Sequence, residues 1–104
     1  MRNWNEMTMQ VQPGQDFVIE LKECVGCGFQ WEVEFDSGLE LLSTNDIPPT
    51  QRMPGASSTL QYRFRAKQPG RFRINATYRK PWIPLGQATG LDAETHISWM
   101  VSVA

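Results

Sequence analysis

The sequence predicts an all-β sandwich of about seven strands, and three observations lead there. Short segments alternate apolar and polar residues with a period of two. Turn signals separate them: Pro13-Gly14, Asp36-Ser37-Gly38 and Gln68-Pro69-Gly70. Nowhere do apolar residues recur at three-four spacing over three turns, so no substantial helix is expected. The 104 residues suffice for one core, and a single domain over 1–104 is expected.

The elements follow in order. Met7 to Gln12 reads as a short first strand, closed by Pro13-Gly14. Phe17, Ile19 and Leu21 then alternate with Val18, Glu20 and Lys22, which marks a half-buried second strand. A small, flexible stretch follows, Cys24-Val25-Gly26-Cys27-Gly28. It switches abruptly to Phe29, Trp31, Val33 and Phe35 against Gln30, Glu32, Glu34 and Asp36, the third strand. Leu39–Ser43 is a weaker fourth strand, and the polar, proline-bearing stretch Thr44–Ser58 is expected to be irregular. Leu60, Tyr62, Phe64 and Ala66 define the fifth strand, and Phe72, Ile74, Ala76 and Tyr78 the sixth. The turn between them suggests a two-stranded hairpin. Lys80–Ala93 is a second long irregular loop. Glu94–Val103, with Ile97, Trp99, Val101 and Val103 on one face, is the last strand. Seven such strands fit an immunoglobulin-like sandwich. Trp31 stands on the third strand, where such sandwiches place a core tryptophan. The sixth strand has no cysteine for the inter-sheet disulfide of antibody domains, so Trp31 is expected to pack against aliphatics.

Strand parity locates a candidate site. If successive strands run antiparallel, connections alternate between the two ends of the sandwich. The first, third and fifth are the tight turns. The second (Cys24–Gly28), fourth (Thr44–Ser58) and sixth (Lys80–Ala93) share the other end. Irregular loops on a rigid scaffold are where binding is usually found.

Composition and chemistry exclude several classes. The net charge of −1 gives no sign of nucleic acid or anionic lipid, and no apolar run approaches a membrane span. The start, Met1-Arg2-Asn3-Trp4-Asn5-Glu6, lacks the apolar core of a secretory signal. The protein is thus expected in the cytoplasm or a vesicle if the chain is complete, and secreted if a signal was removed. Cys24-x-x-Cys27 is half a zinc site with no second pair to complete it. A disulfide closing the loop and a pair of thiols both remain open. His96 has no nucleophile or adjacent acid in sequence, and cross-strand pairing explains the charged faces better than a catalytic pair does. No cofactor and no enzymatic activity are expected. In Lys80-Pro81-Trp82, a large aromatic stands beside a rigid proline, followed by Ile83, Pro84 and Leu85. Trp82 either folds back onto the core or stands in an apolar recognition tip.

Three segments taken together carry a resemblance. The second connection reads Cys24-Val25-Gly26-Cys27-Gly28, then Phe29-Gln30-Trp31. The fourth ends in Gly55-Ala56-Ser57-Ser58, and the sixth opens with Lys80-Pro81-Trp82 after Tyr78 and Arg79. In this order and at one end, they resemble the loops of chagasin-like inhibitors of papain-family cysteine peptidases. Those loops carry Asn-Pro-Thr-Thr-Gly before an aromatic, a spacer and Trp, then Gly-x-Gly-Gly, then Arg-Pro-Trp. The likeness extends from Val11-Gln12-Pro13-Gly14 through Ala66-Lys67-Gln68-Pro69-Gly70 to the last strand. It departs from the family in losing Asn-Pro-Thr-Thr, with Cys27 at the second threonine, in Ser57 and Ser58 for two glycines, and in Lys80 for arginine.

The resemblance implies a reversible, non-covalent inhibitor whose protein partner is a papain-family peptidase, acting as a monomer. Cys24, Val25, Gly26, Cys27, Gly28 and Phe29 would cover the catalytic thiol. Gly55, Ala56, Ser57 and Ser58 would line one wall of the cleft, and Lys80, Pro81 and Trp82 would grip the other. The competing class is a non-inhibitory immunoglobulin-like module that binds protein or carbohydrate through the same loops.

Overall fold

The computed structural model describes residues 3–24, 26–49 and 57–104. Its strands are β1 (Asn3–Val11), β2 (Asp16–Cys24), β3 (Gln30–Phe35), β4 (Leu39–Ile47), β5 (Ser57–Ala66), β6 (Gly70–Arg79) and β7 (Thr95–Val103). They form two sheets, one ordered β1-β7-β6-β3 and the other β2-β5-β4. Neighbours are antiparallel except β1 and β7, which run parallel. Among the described residues the helical content is one 3-10 turn, Gly90–Asp92. The immunoglobulin-like sandwich read from the period-two segments is the fold observed.

The core lies between the sheets and is built from the residues that the alternation turns inward. Val11, Ile74, Ala76, Trp99, Val101 and Val103 come from one sheet, and Phe17, Ile19, Leu21, Leu39, Phe64 and Ala66 from the other. Phe17 and Phe64 stack with ring centroids 5.7 Å apart, and Phe35 meets Phe64 edge-on at 5.1 Å. Fully burying one such side chain stabilises by about 1.5–3 kcal/mol.

Four expectations need correction. β5 and β6 are not a hairpin: β5 pairs with β2 and β4, β6 with β3 and β7. Alternation tells which residues face the core but not from which side, and these two strands reach it from opposite sheets. The fourth strand does not stop at Ser43 but continues to Ile47, with Thr44, Asn45 and Asp46 paired to Tyr62, Gln61 and Leu60. Its polar pattern reflects its place at a sheet edge, where most of its residues meet water. β5 starts at Ser57, which puts Ser57 and Ser58 on a strand rather than in the loop. Finally, Trp31 is half-buried at the margin of the core rather than at its centre: it packs against the largely aliphatic core and also stacks on Tyr78 at 4.6 Å. Its indole N–H donates to the Lys22 carbonyl at 2.9 Å, a bond from β3 of one sheet to β2 of the other. Among the described side chains the buried tryptophan is Trp99 on β7.

Candidate functional site

The register places the three longer connections at one end. Cys24, the last residue of β2, pairs with Ser57, the first of β5. Ile47 pairs with Thr59, Gln30 with Arg79, and Tyr78 with Thr95. At the opposite end the tight turns are tied together, Gly14 N–H to the Ala66 carbonyl at 3.0 Å and Lys67 N–H to the Gly38 carbonyl at 3.2 Å.

The β2–β3 connection is closed by a disulfide between Cys24 and Cys27, with their Cα atoms 5.6 Å apart. Of the two possibilities left open by the spacing, the bridged one is observed. Gly26 and Gly28 flank Cys27 with φ of +81° and +84°, the left-handed region that favours glycine. Tyr78 holds the base of this loop. Its hydroxyl accepts the Cys24 N–H at 2.8 Å, and its ring lies between Trp31 and Phe29, the latter at 4.9 Å. Phe29 is half-buried, while Gly26, Cys27 and Gly28 are exposed.

Arg79 and Lys80 shape the sixth connection from its root. One Arg79 Nη meets Glu32 at 2.8 Å, and the other donates to the Ile83 carbonyl at 2.6 Å. Its Nε is the one side-chain polar atom, among the described residues, buried without a partner. Lys80 Nζ lies 2.6 Å from Asp92 Oδ1, 5.3 Å from the Phe29 ring centroid and 5.8 Å from that of Trp82. It therefore bridges the two loops as a cation over two aromatic faces. Pro81 is exposed, and Trp82 is 68% exposed, so the tryptophan stands out from the sandwich rather than folding into it. A Cβ on Gly28 would come within 2.7 Å of Trp82 Cη2. Glycine at that position lets the indole lie across the neighbouring loop.

Most of the candidate residues come together. Phe29 meets Lys80 and Gly28 meets Trp82, while Cys24, Gly26 and Cys27 share the disulfide-closed loop that carries them and Pro81 joins Lys80 to Trp82. Ser57 is exposed at the start of β5, whereas Ser58 is buried opposite Glu23. Val25, Gly55 and Ala56 lie outside the described residues. Asp92, whose carboxylate holds Lys80, had no signal in the sequence, because it sits in an irregular loop twelve residues away. His96 does have an acid beside it: its Nε2 is 3.3 Å from Glu94 Oε2, and Nδ1 is 3.4 Å from the Thr77 hydroxyl. Glu94 stands two residues before it on the same side of the chain, a spacing the sequence did display. Among the described residues no three His, Cys, Asp or Glu side chains converge as metal ligands.

Comparison with known proteins adds to this geometry. The family described as "Chagasin family peptidase inhibitor I42" matches residues 10–90. The crystal structure of the cysteine protease inhibitor EhICP2 from Entamoeba histolytica superposes with a TM-score of 0.77 at 15% identity, covering 97% of this chain and 96% of the other. PbICP-C, solved in complex with falcipain-2, gives 0.70 at 15%, covering 99% and 91%. Amebosin, solved in solution, gives 0.67 at 20%, covering 93% and 88%. At these identities the likeness is one of fold. No curated protein matches the chain.

Proposed function

The chain belongs to the chagasin family of cysteine-peptidase inhibitors, and from that premise we propose that its three same-end loops fill the active-site cleft of a papain-like peptidase. It is an inhibitor, not an enzyme, so no bond is made or broken by its own residues. The disulfide-closed tip, Gly26 to Gly28 with Phe29 behind it, covers the catalytic thiol and keeps substrate out. The start of β5, at Ser57, runs along one wall of the cleft with its extended main chain. Lys80, Pro81 and Trp82 grip the other wall.

The observation that carries this reading is Trp82. A large indole is 68% exposed, backed by Pro81 and laid across Gly28 at the end where the longer connections meet. An aromatic already fixed in place loses little freedom on docking, and burying it contributes about 1.5–3 kcal/mol. A neighbour of the same fold, PbICP-C, is itself seen bound to a peptidase, falcipain-2.

The test is inhibition of papain and of a cathepsin L-like enzyme by the parent and by Trp82→Ala. The parent is expected to inhibit, and the variant to lose about 30-fold or more, as truncated hot spots do, with the unfolding midpoint unchanged. Equal inhibition by both proteins removes Trp82 as an anchor. Complete inactivity of the parent at micromolar concentration favours a binding module that does not inhibit.

A further inference from the structure

Beyond Trp82, the connection from Lys80 to Glu94 carries apolar side chains that the fold does not use. Seven large apolar residues are exposed among those described. Met7, Phe35, Leu41 and Ile47, spread over three strands, range from 38% to 44%. Trp82 at 68%, Leu85 at 61% and Leu91 at 99% are all on this one connection. A single exposed leucine is ordinary. The three most exposed apolar side chains among those described all fall on this one connection, left uncovered by the fold as side chains kept for an interaction surface are.

Leu91 is also presented rather than loose. It is the middle residue of the 3-10 turn Gly90–Asp92, closed by Asp92 N–H to the Thr89 carbonyl at 3.1 Å and Ala93 N–H to the Gly90 carbonyl at 3.2 Å. Gly90, at φ +60°, lies in the left-handed region, which a residue with a side chain rarely enters. The next residue, Asp92, is held 2.6 Å from Lys80 Nζ, and that ammonium lies over the Trp82 ring. The turn is thereby moored to the root of the tryptophan tip.

We infer that Leu91 is a second apolar anchor for the peptidase, displayed on the Gly90–Asp92 turn and held in place relative to Trp82 by the Lys80–Asp92 ion pair. The inference rests on the cleft-filling reading above. Its partner surface is an apolar patch of the peptidase flanking the cleft on the side that Trp82 contacts. Asp92 is a positioning residue in this arrangement, because it acts through Lys80.

The experiment compares the parent with Leu91→Ala, Leu91→Asp, Asp92→Asn, the double variant Leu91→Ala/Asp92→Asn, and Trp82→Ala. Inhibition constants against papain and a cathepsin L-like enzyme are read beside unfolding midpoints. Leu91→Ala is expected to weaken inhibition about tenfold, with no change in midpoint because nothing in the fold covers the side chain. Leu91→Asp should weaken it further. Asp92→Asn should weaken inhibition, and the leucine truncation should cost less in its background than in the parent, the coupling that a positioning role requires. Leu91→Ala within twofold of the parent, with Trp82→Ala weak, overturns the second anchor and leaves the cleft reading standing. Parent-like inhibition by both variants overturns the two together. Strict additivity of Leu91→Ala and Asp92→Asn overturns the positioning role.

Discussion

At the closed end of the sandwich, connections are tied to one another by main chain. Gly14 bonds to Ala66, Lys67 to Gly38 and Asp36 to Arg73 through backbone N–H and carbonyl groups, the last pair reinforced by the Asp36 carboxylate, which accepts the Arg73 N–H at 2.8 Å. At the loop end, the main-chain bonds outside the sheets are, among the described residues, internal to each loop: Cys27 to Cys24, Ile83 to Lys80, Asp92 to Thr89. What links one loop to the next there is side chain, namely Tyr78 under Cys24, Lys80 over Phe29, and Trp82 across Gly28. A scaffold held by backbone tolerates sequence change. A site held by side chains can be retuned one substitution at a time. The departures from the family motifs, at Cys24–Cys27, at Ser57 and Ser58 and at Lys80, all fall at the second kind of end.

Substitutions can break or sharpen this contrast. The largest stability effect is expected at the closed end, where Gly38 is buried and the Phe72 ring occupies the space that a Cβ would need. Gly38→Val should cost up to about 3 kcal/mol in chemical denaturation, in the range of overpacked cores. The inhibition constant should stay at the parent value while the protein remains folded. A change in inhibition would show that the two ends are coupled.

At the loop end, replacing both Cys24 and Cys27 with serine should cost about 2 kcal/mol, the scale of a disulfide that closes a loop this short. Inhibition should weaken several-fold, and reductant should do the same to the parent. Equal inhibition with and without reductant would show that Phe29, Tyr78 and Trp82 hold the tip unaided.

Gly28→Ala is a smaller and more diagnostic change. The position has φ +84° and lies under the indole, so about 1 kcal/mol of stability is expected to go. Trp82 must shift, which its fluorescence spectrum would report, together with a weaker inhibition constant. Last, Glu32→Gln removes an exposed partner of Arg79 and should change stability by no more than about 0.5 kcal/mol. A larger loss would mean that Arg79, whose other arm holds the Ile83 carbonyl, depends on the pair.

Much of this architecture was legible because period-two alternation is a strong signal. It named the inward residues Phe17, Ile19, Leu21, Phe64, Ile74, Trp99 and Val101, and parity alone grouped the three longer connections. Strand partners were not legible. The face of β5 and the face of β6 look alike in sequence, whether they lie side by side or across the core from each other. The extension of β4 was hidden by Thr44, Asn45 and Asp46, polar residues that an edge strand accommodates and a buried one does not. In the site, Lys80-Pro81-Trp82 stood out, but Asp92 and Leu91 did not. Nothing in an irregular loop says which carboxylate will find a lysine twelve residues earlier.

The parallel pairing of β1 with β7 has a practical side. Because Asn3 lies opposite Thr95, β1 begins at the same end as the three loops. Ala104, bonded to the Val11 carbonyl, leaves at the other. Anything joined ahead of β1, such as an affinity tag, a fluorophore or a carrier protein, therefore emerges beside the surface proposed to meet the peptidase. The same cargo joined after Ala104 points away from it. For immobilising this inhibitor, labelling it or displaying it on a particle, the carboxyl terminus is the handle.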